Sequence, residues 1–344
     1  MPQLIPDVLL LIFTELQEDL TSLYSCILVN RTWYSIAIRV LWKNLSKSYA
    51  NHIPYNKRSL KILFNTISSS LSEQSIFLKN KVELSSSRPL YNNYMNFFTH
   101  ISPLFVNDMV QLLTEDEEEN YDNTSKDLLE EEIYKLIFNN CNCVKYFYWD
   151  TKHLLHSLPN ARAFFANLHS LTINLTSMES KTLCELAGIC RNIKNLKIKS
   201  LDYTNMNLEY FINAQTKLQS LYLHFGNGRA QCMSLCNAIK GKADTLKKIT
   251  IKSSISTISP KFLPSLKKLQ YIIINNDGGQ FYNDDIWSEW KHYLDTTDFP
   301  ELKYLEVSHI TPMMNSFLLQ KYSDIFQSIS FSNDEHKLIF ENNL

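Results

Sequence analysis

Metal, phosphate and nucleophile chemistry each need particular side chains at particular spacings, and this chain carries only fragments of them. "CNC" at 141–143 and "HLLH" at 153–156 supply thiols and imidazoles, the usual zinc ligands. A zinc site needs four converging ligands, and neither pair has a second pair at finger-like spacing, so no metal is expected. "FGNGRAQ" at 225–231 follows a strand-like run but lacks the third glycine and the Lys-Ser/Thr of a phosphate loop. With six glycines in 344 residues, backbone cradles for phosphate are scarce. No Gly-x-Ser-x-Gly or His-Glu-x-x-His occurs. The expectation is a chain that is not an enzyme and needs no cofactor.

The remaining chemistry is that of surfaces, and a repeat lays it out. Six segments share the pattern apolar-x-x-apolar-x-apolar: Leu168/Leu171/Ile173, Ile193/Leu196/Ile198, Leu218/Leu221/Leu223, Leu246/Ile249/Ile251, Leu269/Ile272/Ile274 and Leu302/Leu305/Val307. Val144/Phe147/Trp149 makes a seventh, and the steps are 24, 25, 25, 28, 23 and 33 residues. The period-two end of each pattern fits a short strand with one buried face. Between strands the period becomes helical, as in Leu183/Leu186/Ala187/Cys190 and Cys232/Leu235/Cys236/Ile239. A strand–loop–helix unit of this size cannot bury its own apolar face, so the units must stack. The longest step holds "NNDGGQFYNDDIWSEWKHYLDTTDFP", expected to be an insertion with its own helix.

If Leu196 and Ile198 point inward, Lys197 and Lys199 point out. The matching outward pairs are Tyr148/Asp150, Thr172/Asn174, Tyr222/His224, Thr250/Lys252, Ile273/Asn275 and Glu306/Ser308. Tyr148, Lys197, Lys199, Tyr222, His224 and Lys252 give this ladder an aromatic and basic middle, suited to a polar or acidic motif. Residues 141–344 carry 22 basic and 18 acidic side chains, so the half is only mildly positive.

At the front, Ile5, Val8, Leu9, Ile12, Phe13 and Leu16 recur at helical spacing, followed by Leu20, Leu23 and Ile27, then Trp33, Ala37, Val40 and Leu41. Each helix is too short to stand alone. Leu10 and Leu11 lie off the main apolar face, so a second face is left for a partner to cover. Residues 46–140 say less, but ten acidic residues and one lysine fall between Glu115 and Glu132, a solvated loop running into a helix.

Hydrophobic residues make up 44% and charged residues 20%, with a formal net charge of −1. That balance argues against nucleic acid or an anionic membrane surface as partner. Residues 1–50 carry four basic and four acidic side chains, which ranks nucleic-acid binding through the front helices low. "MPQLIPDVLLLIF" lacks a basic start and is broken by Asp7, so no secretory signal is expected, and no run approaches a membrane span. Seven cysteines, mostly inside apolar helical patterns, suit the reduced cytosol or nucleus.

Residues 4–42 resemble an F-box. The likeness is carried by Leu4, Pro6 and Asp7, by Leu9, Ile12 and Phe13, by Leu20 and Leu23, and by Cys26, Val29, Arg31, Trp33, Ala37, Leu41 and Trp42. The close V-x-R-x-W…L-W is its most specific part. With Ile12-Phe13 as anchor, Ile5 stands where the family has proline. The repeats, roughly 141–310, resemble the leucine-rich repeats that often follow an F-box in fungal-type receptors. Cys141 and Cys190 stand three residues before their strands, as in the cysteine-containing class.

The resemblance implies an α+β chain: a helical F-box at 1–45, a helical linker at 46–140 with its acidic loop at 115–132, and an α/β leucine-rich-repeat solenoid at 141–344. It implies the substrate receptor of an SCF-type cullin-RING ubiquitin ligase. The F-box would dock a Skp-type adaptor, and through it a cullin, while the repeats hold an unknown client protein. The adaptor surface expected on this basis is Leu4, Pro6, Leu9, Leu10, Ile12, Val29 and Trp33. A leucine-rich-repeat scaffold outside any ligase is the alternative.

Overall fold

The computed structural model describes residues 5–50, 93–114, 123–201, 207–226, 233–253, 255–277, 284–332 and 337–342. They form two compact units, Met1–Tyr148 with His153–Asn167, and Trp149–Lys152 with Leu168–Leu344. Leu4, residues 115–122 of the acidic run and Cys232 lie outside the described residues.

The first unit opens with α1 (Pro6–Glu15), α2 (Leu20–Ile27) and α3 (Arg31–Ala50). Pro6 suits the first turn of α1, where its missing N–H costs nothing. The Asp19 carboxylate caps α2, accepting from the Ser22 N–H at 3.0 Å and its hydroxyl at 2.5 Å. Those bonds hold the Asp19 carboxyl below the usual carboxylate range. Asn30 Oδ1 accepts from the Trp33 N–H at 3.0 Å at the start of α3. The helices close on a core of Leu9, Phe13, Leu23, Cys26, Ala37 and Val40.

Helix α3 runs past the expected limit at residue 45, because its second half has its own partners. Trp42 stacks on Tyr94 with centroids 5.0 Å apart, and the Tyr34 and Tyr94 hydroxyls pair at 2.7 Å. The Thr99 N–H donates to Ser46 Oγ at 3.2 Å. The neighbouring strand β1 (His100–Ile101) runs parallel to β2 (Tyr146–Trp149), pairing His100 with Tyr146.

Helices Pro103–Thr114 and Asn123–Asn140 complete this unit with the segment 153–167. The sequence places the start of the repeats at 141, but 141–148 and 153–167 cluster with the helices before them. The reason is aromatic packing: Phe138 lies 4.5 Å from Phe164, 5.5 Å from Phe165 and 6.3 Å from Phe147, ring centre to ring centre.

The second unit is built on β3 (Ser170–Asn174), β4 (Asn195–Leu201), β5 (Ser220–Phe225), β6 (Lys248–Lys252), β7 (Tyr271–Asn275) and β8 (Tyr304–Ser308). These strands are parallel and adjacent in chain order. Their register lines up the repeat frame. Leu171, Leu196, Leu221, Ile249, Ile272 and Leu305 stand in one row, and Ile173, Ile198, Leu223, Ile251, Ile274 and Val307 in the next. Every side chain of both rows is buried. Two antiparallel strands finish the sheet: β10 (Lys337–Glu341) pairs with β8, and β9 (Ser328–Ser332) pairs with β10 at the edge. The repeat pattern does not foretell this hairpin.

Helices Ser180–Ile189, Leu208–Ala214 and Met233–Lys240 follow β3, β4 and β5, as the change of period predicts. The long step after β7 holds helix Asp284–Thr296, which buries Trp287, Trp290 and Leu294. Among the described residues no α-helix lies between β6 and β7. Two 3₁₀ turns, Ile255–Thr257 and Pro260–Ser265, take its place, and Pro264 inside the second removes a donor that a longer helix would need.

Buried polar groups tie successive units together. Gln215 is fully buried; its Nε2 donates to the Cys190 and Phe211 carbonyls at 2.7 and 3.0 Å, and its Oε1 accepts from the Ile193 N–H at 3.2 Å. The Lys242 ammonium donates to the carbonyls of Asn213 and Gln215, at the end of the helix one unit earlier. Lys321 does the same for Leu294, Asp295 and Thr297.

Candidate functional site

A three-helix module has room for a small core, and this one has more apolar side chains than the core takes. Nine large apolar side chains on its described residues stand at least one-third exposed: Ile5, Val8, Leu10, Leu11, Ile12, Leu20, Tyr24, Leu28 and Val29. Leu11 is 69% and Leu28 85% exposed. On α1, Ile5, Val8 and Ile12 share a stripe at i, i+3 and i+7, flanking the side that buries Leu9 and Phe13. On α2, Leu20, Tyr24 and Leu28 form a second stripe at i, i+4 and i+8. Apolar surface in such quantity marks a docking face.

The expected adaptor residues divide. Pro6, Leu10, Ile12 and Val29 are exposed, as a docking surface requires. Leu9 is not: it is fully buried between α1 and its two neighbours, so it holds the module together and cannot touch a partner. Trp33 is partly buried and packs edge-on against Phe13, with centroids 5.3 Å apart. Its main contact is thus the core. Leu11, which the sequence already sets off the main apolar face, is exposed too, while the exposure of Ile5, Val8, Leu20, Tyr24 and Leu28 is not expected from the sequence. Their signal is in "PDVLLLIF", which is apolar on every side of the helix, beyond what one buried stripe needs.

The F-box-like family model matches residues 6–48. The three-helix module is an F-box-like domain. Its matched span ends within α3, beyond Trp42 and close to the helix end at Ala50. Domains of this class typically bind Skp-type adaptors, which points in general to a receptor role in SCF ligases. No curated protein matches the chain.

The second surface is the outward face of the parallel sheet in the other unit. Register brings Thr172, Lys197, Tyr222, Thr250, Ile273 and Glu306 into one row. Beside it Asn174 pairs with Lys199, His224 with Lys252, and Lys252 with Asn275. Lys197 is exposed; Lys199, Tyr222, His224 and Lys252 are partly exposed. Burial, with the charge of Asp277, raises the Tyr222 hydroxyl above its ordinary pKa. Thr250 and Ser308 are buried and drop out of the accessible ladder. Asp150 is occupied, accepting from Asn174 Nδ2 and Ser177 Oγ at 2.9 Å each. Tyr148 belongs to the first unit, on β2.

The cysteines of "CNC" join no metal-binding group among the described residues; Cys141 is buried and Cys143 exposed. Burial pushes the Cys141 thiol above the range in which a thiolate forms. His153 instead meets the acidic helix Asn123–Asn140. Its Nε2 lies 3.5 Å from Glu130 Oε2 and its Nδ1 3.9 Å from Glu131 Oε2, with Asp127 in the same group. The bond to Glu130 raises the imidazole pKa against the opposing effect of burial. Lys135 completes the network by pairing with Glu131 and Glu132 at 2.9 and 2.8 Å. Three of these groups could hold a cation, yet each also fits an ordinary ion-pair network on a helix. No described helix is long and apolar enough to cross a membrane.

Proposed function

We propose that this chain is the substrate-recognition subunit of an SCF-type cullin-RING ubiquitin ligase. The F-box-like domain docks a Skp-type adaptor through the exposed side chains of α1 and the α2–α3 turn, and the adaptor links it to a cullin. The rear unit acts as a leucine-rich-repeat solenoid whose outward strand face, with Lys197, Lys199, Tyr222, His224 and Lys252, holds a client protein. The chain does no bond chemistry of its own. It raises the local concentration of client lysines at a charged ubiquitin carrier, which is how tethering accelerates a transfer. It works in the cytosol or nucleus, in keeping with the six free thiols among the described cysteines.

One observation carries this reading: an F-box-like module exposes apolar side chains in two helical stripes that its own core does not cover. Co-purification of the full chain with a Skp-type adaptor and a cullin tests it. Both proteins should elute with the chain, and deletion of residues 1–50 should release both. A chain that binds neither, while still retaining protein partners through its rear unit, is a scaffold outside any ligase.

A further inference from the structure

The buried rows of the second unit run on to the edge of its sheet and lose their cover there. Leu305 on β8 stands beside Phe340 on β10, and Phe340 beside Ile329 on β9; Val307 stands beside Leu338, and Leu338 beside Phe331. Residues opposite one another on paired strands share a face, so both core rows continue through the hairpin. Phe340 and Leu338 are buried, and the rings of Tyr322 and Phe326 lie 5.9 and 5.6 Å from that of Phe340. One strand farther, Ile329 and Phe331 are 39% and 48% exposed, and Ile325 just before them 54%. Among the described residues β9 is the last strand of the sheet, so alternate residues along it turn backbone N–H and C=O groups outward. Natural edges are blunted by lysine, proline or a bulge. Residues 325–332, "IFQSISFS", hold no charged residue and no proline, and β9 pairs with β10 over five successive residues without a shift.

We propose that β9 pairs antiparallel with β9 of a second copy of this chain, joining the two sheets about a two-fold axis at Ser330. The backbone groups of a sheet edge are satisfied by another strand, and this strand complements itself. A two-fold axis perpendicular to the sheet keeps both core faces on one side, so odd-numbered residues must stand opposite odd-numbered ones. The register centred on Ser330 is the one that pairs all five residues. Ile329 then faces Phe331 twice, Ser328 faces Ser332 twice, and Ser330 faces its own copy. Aromatic and β-branched side chains set opposite one another favour strand pairing. With no charge in 325–332, no like charges meet along the strand, and each copy extends the other's apolar rows over Ile329 and Phe331. Two five-residue strands with Ile325 bury less than the about 1,200 Å² at which stable interfaces begin, so this dimer is a weak, concentration-dependent one. The inference goes beyond the receptor reading and does not depend on it.

Sedimentation velocity of the full chain over rising concentration, into the submillimolar range, tests the pairing. A monomer–dimer equilibrium is expected. Ser330→Lys and Ser330→Glu each set like charges directly opposite one another, and each should weaken self-association at least about tenfold. Ser330 is exposed, so neither should lower the melting temperature. Mixed in equal amounts, the two variants should associate again, because a pairing centred on residue 330 then sets lysine opposite glutamate. Ser330→Cys should give a disulfide between copies under mild oxidation by diamide, above the background set by the parent with its exposed Cys143 and Cys184. Directly opposed backbone positions lie about 4.5–5.5 Å apart, within the reach of that bond. A chain that stays monomeric at every concentration, a dimer indifferent to Ser330→Lys, or mixed lysine and glutamate variants that fail to associate would overturn the proposal.

Discussion

Placing aspartate at two of the most exposed apolar positions of the F-box-like domain, Leu11→Asp with Leu28→Asp, separates docking from folding. Neither leucine contributes to the core of Leu9, Phe13, Leu23, Cys26, Ala37 and Val40. Surface substitutions of this kind change stability by about 0.5 kcal/mol or less. Docking should respond far more. Complete burial of a leucine is worth about 1.5–3 kcal/mol. At 69% and 85% exposure, most of that is still available to a partner. If an adaptor covers both, the pair forfeits about 2–4 kcal/mol, before the cost of desolvating two unpaired carboxylates. At about 1.4 kcal/mol per factor of ten, affinity should fall at least about thirtyfold. Calorimetric titration of purified adaptor into the full chain measures this, with a thermal melt as control. An affinity within about threefold of the parent, with an unchanged melt, would refute the docking face.

Phe13→Ala should do the reverse. It removes the ring packed against Trp33 and destabilises the module by about 3–5 kcal/mol, seen as loss of protection in amide exchange over α1–α3. Gln215→Leu strands two carbonyls and one N–H inside the second unit; at about 1–3 kcal/mol for each buried unpaired group it should cost about 3 kcal/mol or more. Its melting transition should drop by roughly 5–10 °C, and a drop under about 2 °C would count against the tie. His100 is held neutral: burial, then Lys47 and Lys43, push its pKa down to about 4. Below about pH 6.5 the unfolded chain takes up a proton that the folded one refuses, so stability is lost as pH falls from there to about 4. His100→Phe keeps the stack on Tyr146, whose ring centre lies 4.1 Å away, and should abolish that portion of the acid loss in parallel denaturant titrations.

The strands were legible because a period of two admits one solution when one face must be buried. Leu196 and Ile198 inward leave Lys197 and Lys199 no other side, and the pairing with β3 agrees, although the register to β5 shifts just past Ile198. Helix α1 was harder. Val8 to Phe13 is a continuous apolar run, so the sequence could not say which residues turn inward. Leu23, Cys26, Ala37 and Val40 decide it, and they draw in Leu9 while leaving Leu10 and Leu11 out. The edge hairpin and the boundary near 141 were hidden for a related reason. "SISFS" and "KLIFE" carry no repeat frame, and the ring cluster around Phe138 is a contact between segments far apart in the chain.

Among the described residues, each parallel strand from β4 to β7 is hydrogen-bonded to the strands that directly precede and follow it in the chain. Intervening segments can therefore lengthen or shorten without moving any pairing, as the 33-residue step does between Ile274 and its partner Val307. Insertions and deletions are cheap where the polypeptide leaves the ladder and ruinous within it. Over evolutionary time, descendants of this gene can drift in loop length while inheriting the same lattice of aligned rows.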